Sequence, residues 1–454
     1  MLLTVLNVCT IVLLALGSRT LAAEPPNIVF LFSDDQTATD LGCYGNAVVR
    51  TPNLDKLASE GIRFTRAYVA SPQCSPSRGA ILTGLPPHTT GSSRLHVDVL
   101  PEFVSIIEAF KANGYHTGAY RKVHQKGIEQ QFDFIGNSDL SAFFKQRPKE
   151  KPFFLWFGST DPHRPYKAGA ISKPHNPDDV LVPDFLVNTA GTRQDLAFYY
   201  DYITRFDDDC GKILDLLEKE GLTNNTIIVM SSDNGMPFPR AKGTLYEAGI
   251  NVPLIIKWPE MIKPGRVSSE IISLMDLPAT WLDATGAQPL PHTFGKSLIP
   301  YFKEVKEPIN EFVFAERNWH DNWQPSRTVI SKRYKLIQNY RLEVPLLPTL
   351  DRLTSPAFTA IDSLGESGLL TPHLQQAYRA VPRAEVEFYD LVNDPGEWNN
   401  LAADPMYKAL LLHYQSVLGA WMNQTHDFLP APRDAYPGYK FNDHYEPLNS
   451  EKID

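Results

Sequence analysis

Four short apolar runs do most to constrain what this chain can fold into. Residues 27–32, 152–157, 226–230 and 253–258 are apolar apart from Asn27, Thr226 and Lys257, with no alternation. Runs of this length, rich in Val, Ile and Phe, predict strands buried on both faces, as in a parallel sheet covered by helices. Polar clusters follow three of them: Ser33-Asp34-Asp35, Asp161-Pro162-His163 and Ser231-Ser232-Asp233-Asn234. In open α/β sheets, ligands bind outside the carboxyl ends of the strands. One site at one sheet edge is therefore expected. Residues 117–120 suit a further strand. Helices are expected at 51–58, at 103–112 before Asn113-Gly114, and at 196–220 before Gly221.

The expected fold class is α/β, a mostly parallel sheet flanked by helices. From about Arg327 the pattern changes to short strands at 328–330, 334–337 and 386–390, a turn at 393–397 and a helix at 405–422. These predict a smaller C-terminal α+β domain. At 454 residues the chain exceeds one ordinary core. The expected division is 24–326 for the larger domain and 327–454 for the smaller. Residues 1–23 are apolar from Leu2 to Leu16 and end in Leu21-Ala22-Ala23. They read as a cleavable export signal rather than a retained anchor, because the run is short for a membrane span. No stable membrane insertion is expected, and the destination is periplasmic, extracellular or lysosomal according to the host. Three cysteines remain after cleavage, Cys43, Cys74 and Cys210, too few for a disulfide scaffold. A net charge of −9 argues against nucleic acid as a partner. A polyanionic substrate would need a local basic pocket.

Asp34, Asp35, Asp233 and Asn234 offer four oxygen donors at strand ends. Such a set suits Ca²⁺ or Mg²⁺; on its own, Asp34-Asp35 reads equally as a turn or a helix cap. Arg78 lies one helical turn after Cys74 and so beside it. Alternation places Lys122 and His124 on one face.

Cys74-Ser75-Pro76-Ser77-Arg78, followed by Leu82-Thr83-Gly84, resembles the signature of type I sulfatases. The resemblance runs from Asn27 to the C-terminal helix. It implies an alkaline-phosphatase-like fold and a catalytic unit at 24–326. It also implies that a formylglycine-generating enzyme oxidises Cys74 to formylglycine (3-oxoalanine), whose hydrated form is the nucleophile. By the same resemblance Asp34, Asp35, Cys74, Asp233 and Asn234 hold the cation, with Ca²⁺ favoured and Mg²⁺ the alternative. Arg78 orients the diol, and Lys122 and Lys242 hold sulfate. His124 takes a proton from the diol, and His163 protonates the leaving atom. Arg121 stands where the family usually has glycine, which leaves the local backbone open. Glu247 either fixes Lys242 or caps local structure, the second being the expectation.

Segments at 84–88, 95–99, 179–183, 232–239, 337–340 and 355–358 look like the sulfamidase subgroup of that family. They imply a sulfated saccharide substrate, with N-sulfated glucosamine the leading candidate. His96, Asp98 and His320 are the expected pocket rim, with Arg327 near a domain seam. The rival readings are a sugar O-sulfatase acting on another polysaccharide, a related phosphate or phosphonate ester hydrolase, and a catalytically silent sugar-binding protein.

Overall fold

The computed structural model describes residues 24–304, 307–427 and 429. The expected export signal at 1–23 lies outside the described residues. Eight strands form the main sheet: β1 (Asn27–Ser33), β2 (Ile62–Tyr68), β3 (His116–Arg121), β4 (Phe134–Gly136), β5 (Phe153–Gly158), β6 (Thr226–Ser232), β7 (Asn251–Lys257) and β8 (Arg266–Ser273). Their order is β4-β3-β5-β1-β6-β7-β2-β8. Among these, β7 alone runs against its neighbours. The fold is thus the mostly parallel α/β sheet that the apolar runs imply, with one reversed strand. The reversal matters to the site, because the chain entering β7 arrives at the edge where β1, β3, β5 and β6 end.

Both sheet faces are covered. Ile28, Phe30 and Phe32 join Phe154, Trp156 and Trp281 on one face. Val29 and Leu31 join Leu155, Phe157, Ile203 and Phe206 on the other. Phe30 meets the rings of Trp156 and Trp281 at 5.1 Å each. Burying each such side chain contributes roughly 1.5–3 kcal/mol, so the central strands are the most firmly held part of the molecule. The long helix Ala190–Lys219 lies on the second face and begins six residues earlier than its apolar spacing suggests. The Thr189 hydroxyl, accepting from the Thr192 amide, caps its first turn.

The smaller antiparallel sheet has the order β12-β11-β10-β9, from β9 (Val313–Trp319), β10 (Trp323–Ile330), β11 (Tyr334–Asn339) and β12 (Val386–Asp390). The expected boundary at 326/327 therefore falls inside β10, and the second sheet starts at Val313. The shift has a chemical reason. Glu316, Arg317, Asn318 and Arg327 are all buried, so these strands lack the apolar signature that marks the others. The helix Lys408–Gln424 closes this sheet, with Tyr414, Leu418 and Trp421 packed on Val329, Leu336 and Phe388. The main core continues across the seam through Val313, Ala315 and Ile330, and backbone hydrogen bonds tie the two sheets along it. The Glu316 amide donates to the Ala70 carbonyl at 2.9 Å, and the Leu95 amide to the Trp319 carbonyl at 3.2 Å.

Arg327 belongs to this framework and not to a pocket rim. Its guanidinium pairs with Asp427, one contact being 2.8 Å from Nη2 to Oδ1, and both side chains are fully buried. Removing one partner of a buried pair strands the other charge. Asp427→Ala should therefore lower stability by about 3–5 kcal/mol, read as a shift in the urea midpoint. Replacing both partners, as Arg327→Leu with Asp427→Ala, should recover part of the loss. An unchanged midpoint in the single variant would contradict this reading of the seam.

Candidate active site

β1 delivers Asp34 and Asp35 to the sheet edge, and β6 delivers Asp233 and Asn234 beside them. The Asp35 amide donates to Asp233 Oδ1 at 3.0 Å, and Asn234 Nδ2 donates to Asp35 Oδ1 at 2.8 Å. Asp35 has φ +70°. This left-handed geometry is uncommon outside glycine and, at a sheet edge, is a mark of a functional turn. Gly235 follows because a Cβ there would lie 1.8 Å from the Ala248 carbonyl oxygen. Asp34, Asp35, Asp233 and Asn234 are all fully buried.

Cys74 begins the helix Cys74–Thr83, which Gly84 ends in the left-handed conformation. Pro76 is tolerated because the first turn needs no amide donor from it. The thiol points at the carboxylates, 3.5 Å from Asp34 Oδ1 and 3.8 Å from Asp35 Oδ1. Burial, with repulsion from Asp34 and Asp233, pushes the Cys74 thiol well above its ordinary range. An unmodified cysteine here is a protonated thiol, not an activated thiolate.

Three cations face the three fully buried carboxylates, and one of them, Lys242, meets a fourth, Asp351. Arg78 Nε lies 2.8 Å from Asp233 Oδ2, and its Nη1 donates to the Lys122 carbonyl at 2.6 Å. Lys122 Nζ pairs with Asp34. Lys242 Nζ lies 2.8 Å from Asp35 Oδ2 and 2.9 Å from Asp351 Oδ2. Burial alone would raise Asp34, but Lys122, His163, Arg78 and Lys242 hold it well below the usual carboxylate range. Asp233 goes the other way. Burial, then repulsion from Asp34, pushes it to about 7 despite Arg78.

His163 follows β5. Its Nδ1 is engaged by the Arg164 carbonyl, and its Nε2 faces Asp35 Oδ2 at 3.7 Å and Asp351 Oδ2 at 3.9 Å. Arg164 is itself fixed by a bidentate pair with Asp195, 2.7 and 2.8 Å long. This support orients the imidazole. Burial and the Lys242 charge lower the His163 pKa.

The structure thus brings Asp34, Asp35, Cys74, Arg78, Lys122, His163, Asp233, Asn234 and Lys242 to one edge. His124 stands further out. Its Nε2 meets His96 Nδ1 at 2.8 Å. Burial, with the Lys122 and Arg78 charges, drives its pKa to about 2, so the ring is neutral. Arg121 keeps the turn that glycine would allow, at φ +56°. A non-glycine residue in this conformation costs roughly 1–2 kcal/mol, partly offset by its 2.7 Å contact with Asp209. Past that turn, the Lys122 amide donates to the Gly158 carbonyl at 2.8 Å.

The expected rim divides. His96 lines the His124 side, and His320, held by Asp321 at 2.7 Å, is buried. Asp98 has a local structural part. It accepts from the Lys126 and Gly127 amides at 2.9 and 3.2 Å and so caps the turn of helix after His124. Glu247 has a structural part, pairing with Lys335 at 3.1 Å and Asn251 at 3.0 Å. Sequence reasoning missed Asp351. It comes from a short turn of the second unit, and no strand end or motif marks it.

The donor set fits a hard cation. Ligand atoms of Asp34, Asp35, Cys74 and His163 all lie within 4.8 Å of one another. Asn234 Oδ1, fully buried, has no hydrogen-bond partner among the described residues, as expected of a carbonyl oxygen reserved for a metal.

Comparisons with known proteins agree with this edge. The Sulfatase family model matches residues 26–150 and 138–287, and the N-sulphoglucosamine sulphohydrolase C-terminal model matches 240–356. The chain belongs to the sulfatase family and is a hydrolase of sulfuric esters or sulfamates. It is 31% identical to human N-sulphoglucosamine sulphohydrolase, over 98% of each chain. It is 30% identical to an ulvan-active sulfatase of Formosa agariphila, over 90% of this chain and 82% of that one. In fold it resembles a protein solved with its substrate D-glucosamine-2-N,6-O-disulfate, with a TM-score of 0.70 and 21% identity over 91% of this chain and 100% of that one. It equally resembles the phosphonate monoester hydrolase of Agrobacterium radiobacter, with a TM-score of 0.69 and 18% identity over 94% and 100%. The fold is therefore alkaline-phosphatase-like, and the family match sets the phosphonate-ester and silent-binder readings aside.

A cation at this edge must displace the proton that Asp233 holds below pH about 7. Ca²⁺ affinity should therefore rise about tenfold per pH unit up to about 7 and then level off, as calorimetry at several pH values would show. Affinity unchanged between about pH 5 and 7 would contradict the assignment of Asp233 as a ligand.

Proposed function

We propose that the protein is an exported sulfamidase, removing the N-sulfate from a glucosamine residue of a heparan-type glycan. The observation that carries this reading is the Cys74 thiol aimed at Asp34 and Asp35, inside a chain matched end to end by N-sulphoglucosamine sulphohydrolase. In this reading Cys74 matures to formylglycine, installed by a formylglycine-generating enzyme. Its hydrated form supplies a nucleophilic oxygen and sheds sulfate by reverting to the aldehyde. Asp34, Asp35, Asp233 and Asn234 would hold Ca²⁺, with Mg²⁺ the alternative. The cation would polarise the sulfate and the nucleophile.

The chain's own residues account for the rest. Arg78 is locked between Asp233 and the Lys122 carbonyl, so it presents a fixed charge beside residue 74. Lys122 and Lys242 stand on opposite carboxylates, Asp34 and Asp35, and can grip a sulfate between them. The first turn of the Cys74–Thr83 helix adds amide dipoles favourable to an anion. His163, with its Nδ1–H committed to the Arg164 carbonyl, would supply a proton to the departing nitrogen from Nε2 as the imidazolium, the form that the Asp35 carboxylate 3.7 Å away favours. His124, tied to His96, would accept the proton of the diol when sulfate leaves, the anion bound beside Lys122 and Arg78 offsetting the charges that hold its pKa down. Overall, water and the sulfamate give sulfate and the protonated amine.

Export rests on the apolar residues 1–23. No helix among the described residues is long and apolar enough to cross a membrane. The 30% identity to an ulvan-active sulfatase favours a second reading, a sugar O-sulfatase acting on another polysaccharide. Defined N- and O-sulfated mono- and disaccharides separate the two. Sulfate release from N-sulfoglucosamine is the expected result. Release from O-sulfated sugars with none from N-sulfoglucosamine would overturn the sulfamidase reading and leave the sulfatase class standing.

A further inference from the structure

The site has a deep half and an open half. Asp34, Asp35, Asp233 and Arg78 are fully buried, and Lys242 nearly so. The side chains of His163 and Asp351 are 28% and 19% exposed. A sulfate gripped by the deep cations must therefore turn its leaving group toward His163 and Asp351. The carboxylate of Asp351 lies 3.9 Å from His163 Nε2, so the two groups flank the same position.

Asp351 is held there firmly, although it sits on a loop. Thr349 Oγ1 donates to its Oδ1. Arg352, buried beside it, bonds Thr349 Oγ1 at 2.8 Å and reaches the Phe238 carbonyl. The Leu350 amide donates to Asp321 Oδ2 at 2.6 Å. Lys242 Nζ, 2.9 Å from Asp351 Oδ2, pairs with it as a carboxylate.

We infer that Asp351 is the residue that selects a nitrogen leaving group over an oxygen one. This rests on the sulfamidase reading above. The bridging nitrogen of a sulfamate carries a hydrogen, which a carboxylate can accept. The bridging oxygen of a sulfate ester carries none and turns a lone pair toward the same carboxylate. As the S–N bond breaks, its electron pair goes to nitrogen and His163 supplies one proton. The amine then takes a second proton from water and leaves as an ammonium, which Asp351 stabilises. An alcohol leaves neutral and gains nothing from the contact. Hydrogen bonds to charged groups are strong enough that their loss lowers rates by about 10- to 100-fold.

The test compares wild type, Asp351→Asn and Asp351→Glu on N-sulfoglucosamine and on an aryl sulfate. Asp351→Asn should lose about 10- to 100-fold more in kcat/KM on N-sulfoglucosamine than on the aryl sulfate. Asp351→Glu should restore part of the preference. Equal loss on both substrates would mean that Asp351 only positions Lys242, and would overturn the inference, as would no change on either. A measurement on wild type alone guards against a misfolded variant. Glucosamine should inhibit aryl sulfate hydrolysis at least tenfold more tightly than glucose, and equal inhibition would overturn the inference. A wild type that hydrolyses the aryl sulfate but not N-sulfoglucosamine would sink the sulfamidase reading itself, which separates the two failures.

Discussion

Three carboxylates and three cations, buried together at the end of a parallel sheet, are the constraint on which the rest of this structure depends. Isolated ions cannot be buried at such depth; each needs a partner and hydrogen bonds. Asp34, Asp35 and Asp233 meet Lys122, Lys242 and Arg78 in a nearly neutral set. Removing any one member leaves an uncompensated charge in the core. The unequal responses of Asp34, held low, and Asp233, pushed to about 7, show that the balance is local. Asp34 has its lysine close by, whereas Asp233 feels Asp34. A divalent cation would relieve that remaining repulsion. This is the electrostatic reason for a cation at this edge.

The scaffold explains how such a set is held. β1, β3, β5 and β6 end together, and their central parts are locked by aromatic packing. The reversed β7 lets a segment that would otherwise emerge at the far edge bring Lys242 to the same place. The second unit is part of the site and not an appendage. Its β9 pairs across the seam, and its Thr349–Arg352 turn places Asp351 against Lys242 and His163. Left-handed backbone at Asp35, His96, Arg121 and His124 gathers around this edge, where rigid surroundings can sustain it.

Much of this was legible in the sequence, for a physical reason. Strands buried on both faces must be apolar throughout, so 27–32 and 226–230 advertise both their structure and the polar residues that follow. The parts that stayed hidden have the opposite character. β9 and β10 bury charge, so the smaller sheet reads as loop until Arg327 and its start at Val313 goes unseen. The capping bonds of Asp98 to the Lys126 and Gly127 amides also went unseen, because cap and ligand use the same chemistry. Asp351 has no local signal at all; its importance comes from a fold-level approach between two sheets. Arg121 is intermediate. Its departure from glycine was visible, but only the backbone shows that the turn survives.

The central claim is that position 74 is a matured nucleophile seated among these charges, and not a buried thiol. The mass of the tryptic peptide spanning residues 67–78, taken from catalytically active protein, tests it most directly. The account predicts a peptide lighter than the cysteine form, reactive toward a hydrazine as an aldehyde should be. Active protein whose peptide carries only an unmodified, alkylatable Cys74 would contradict it.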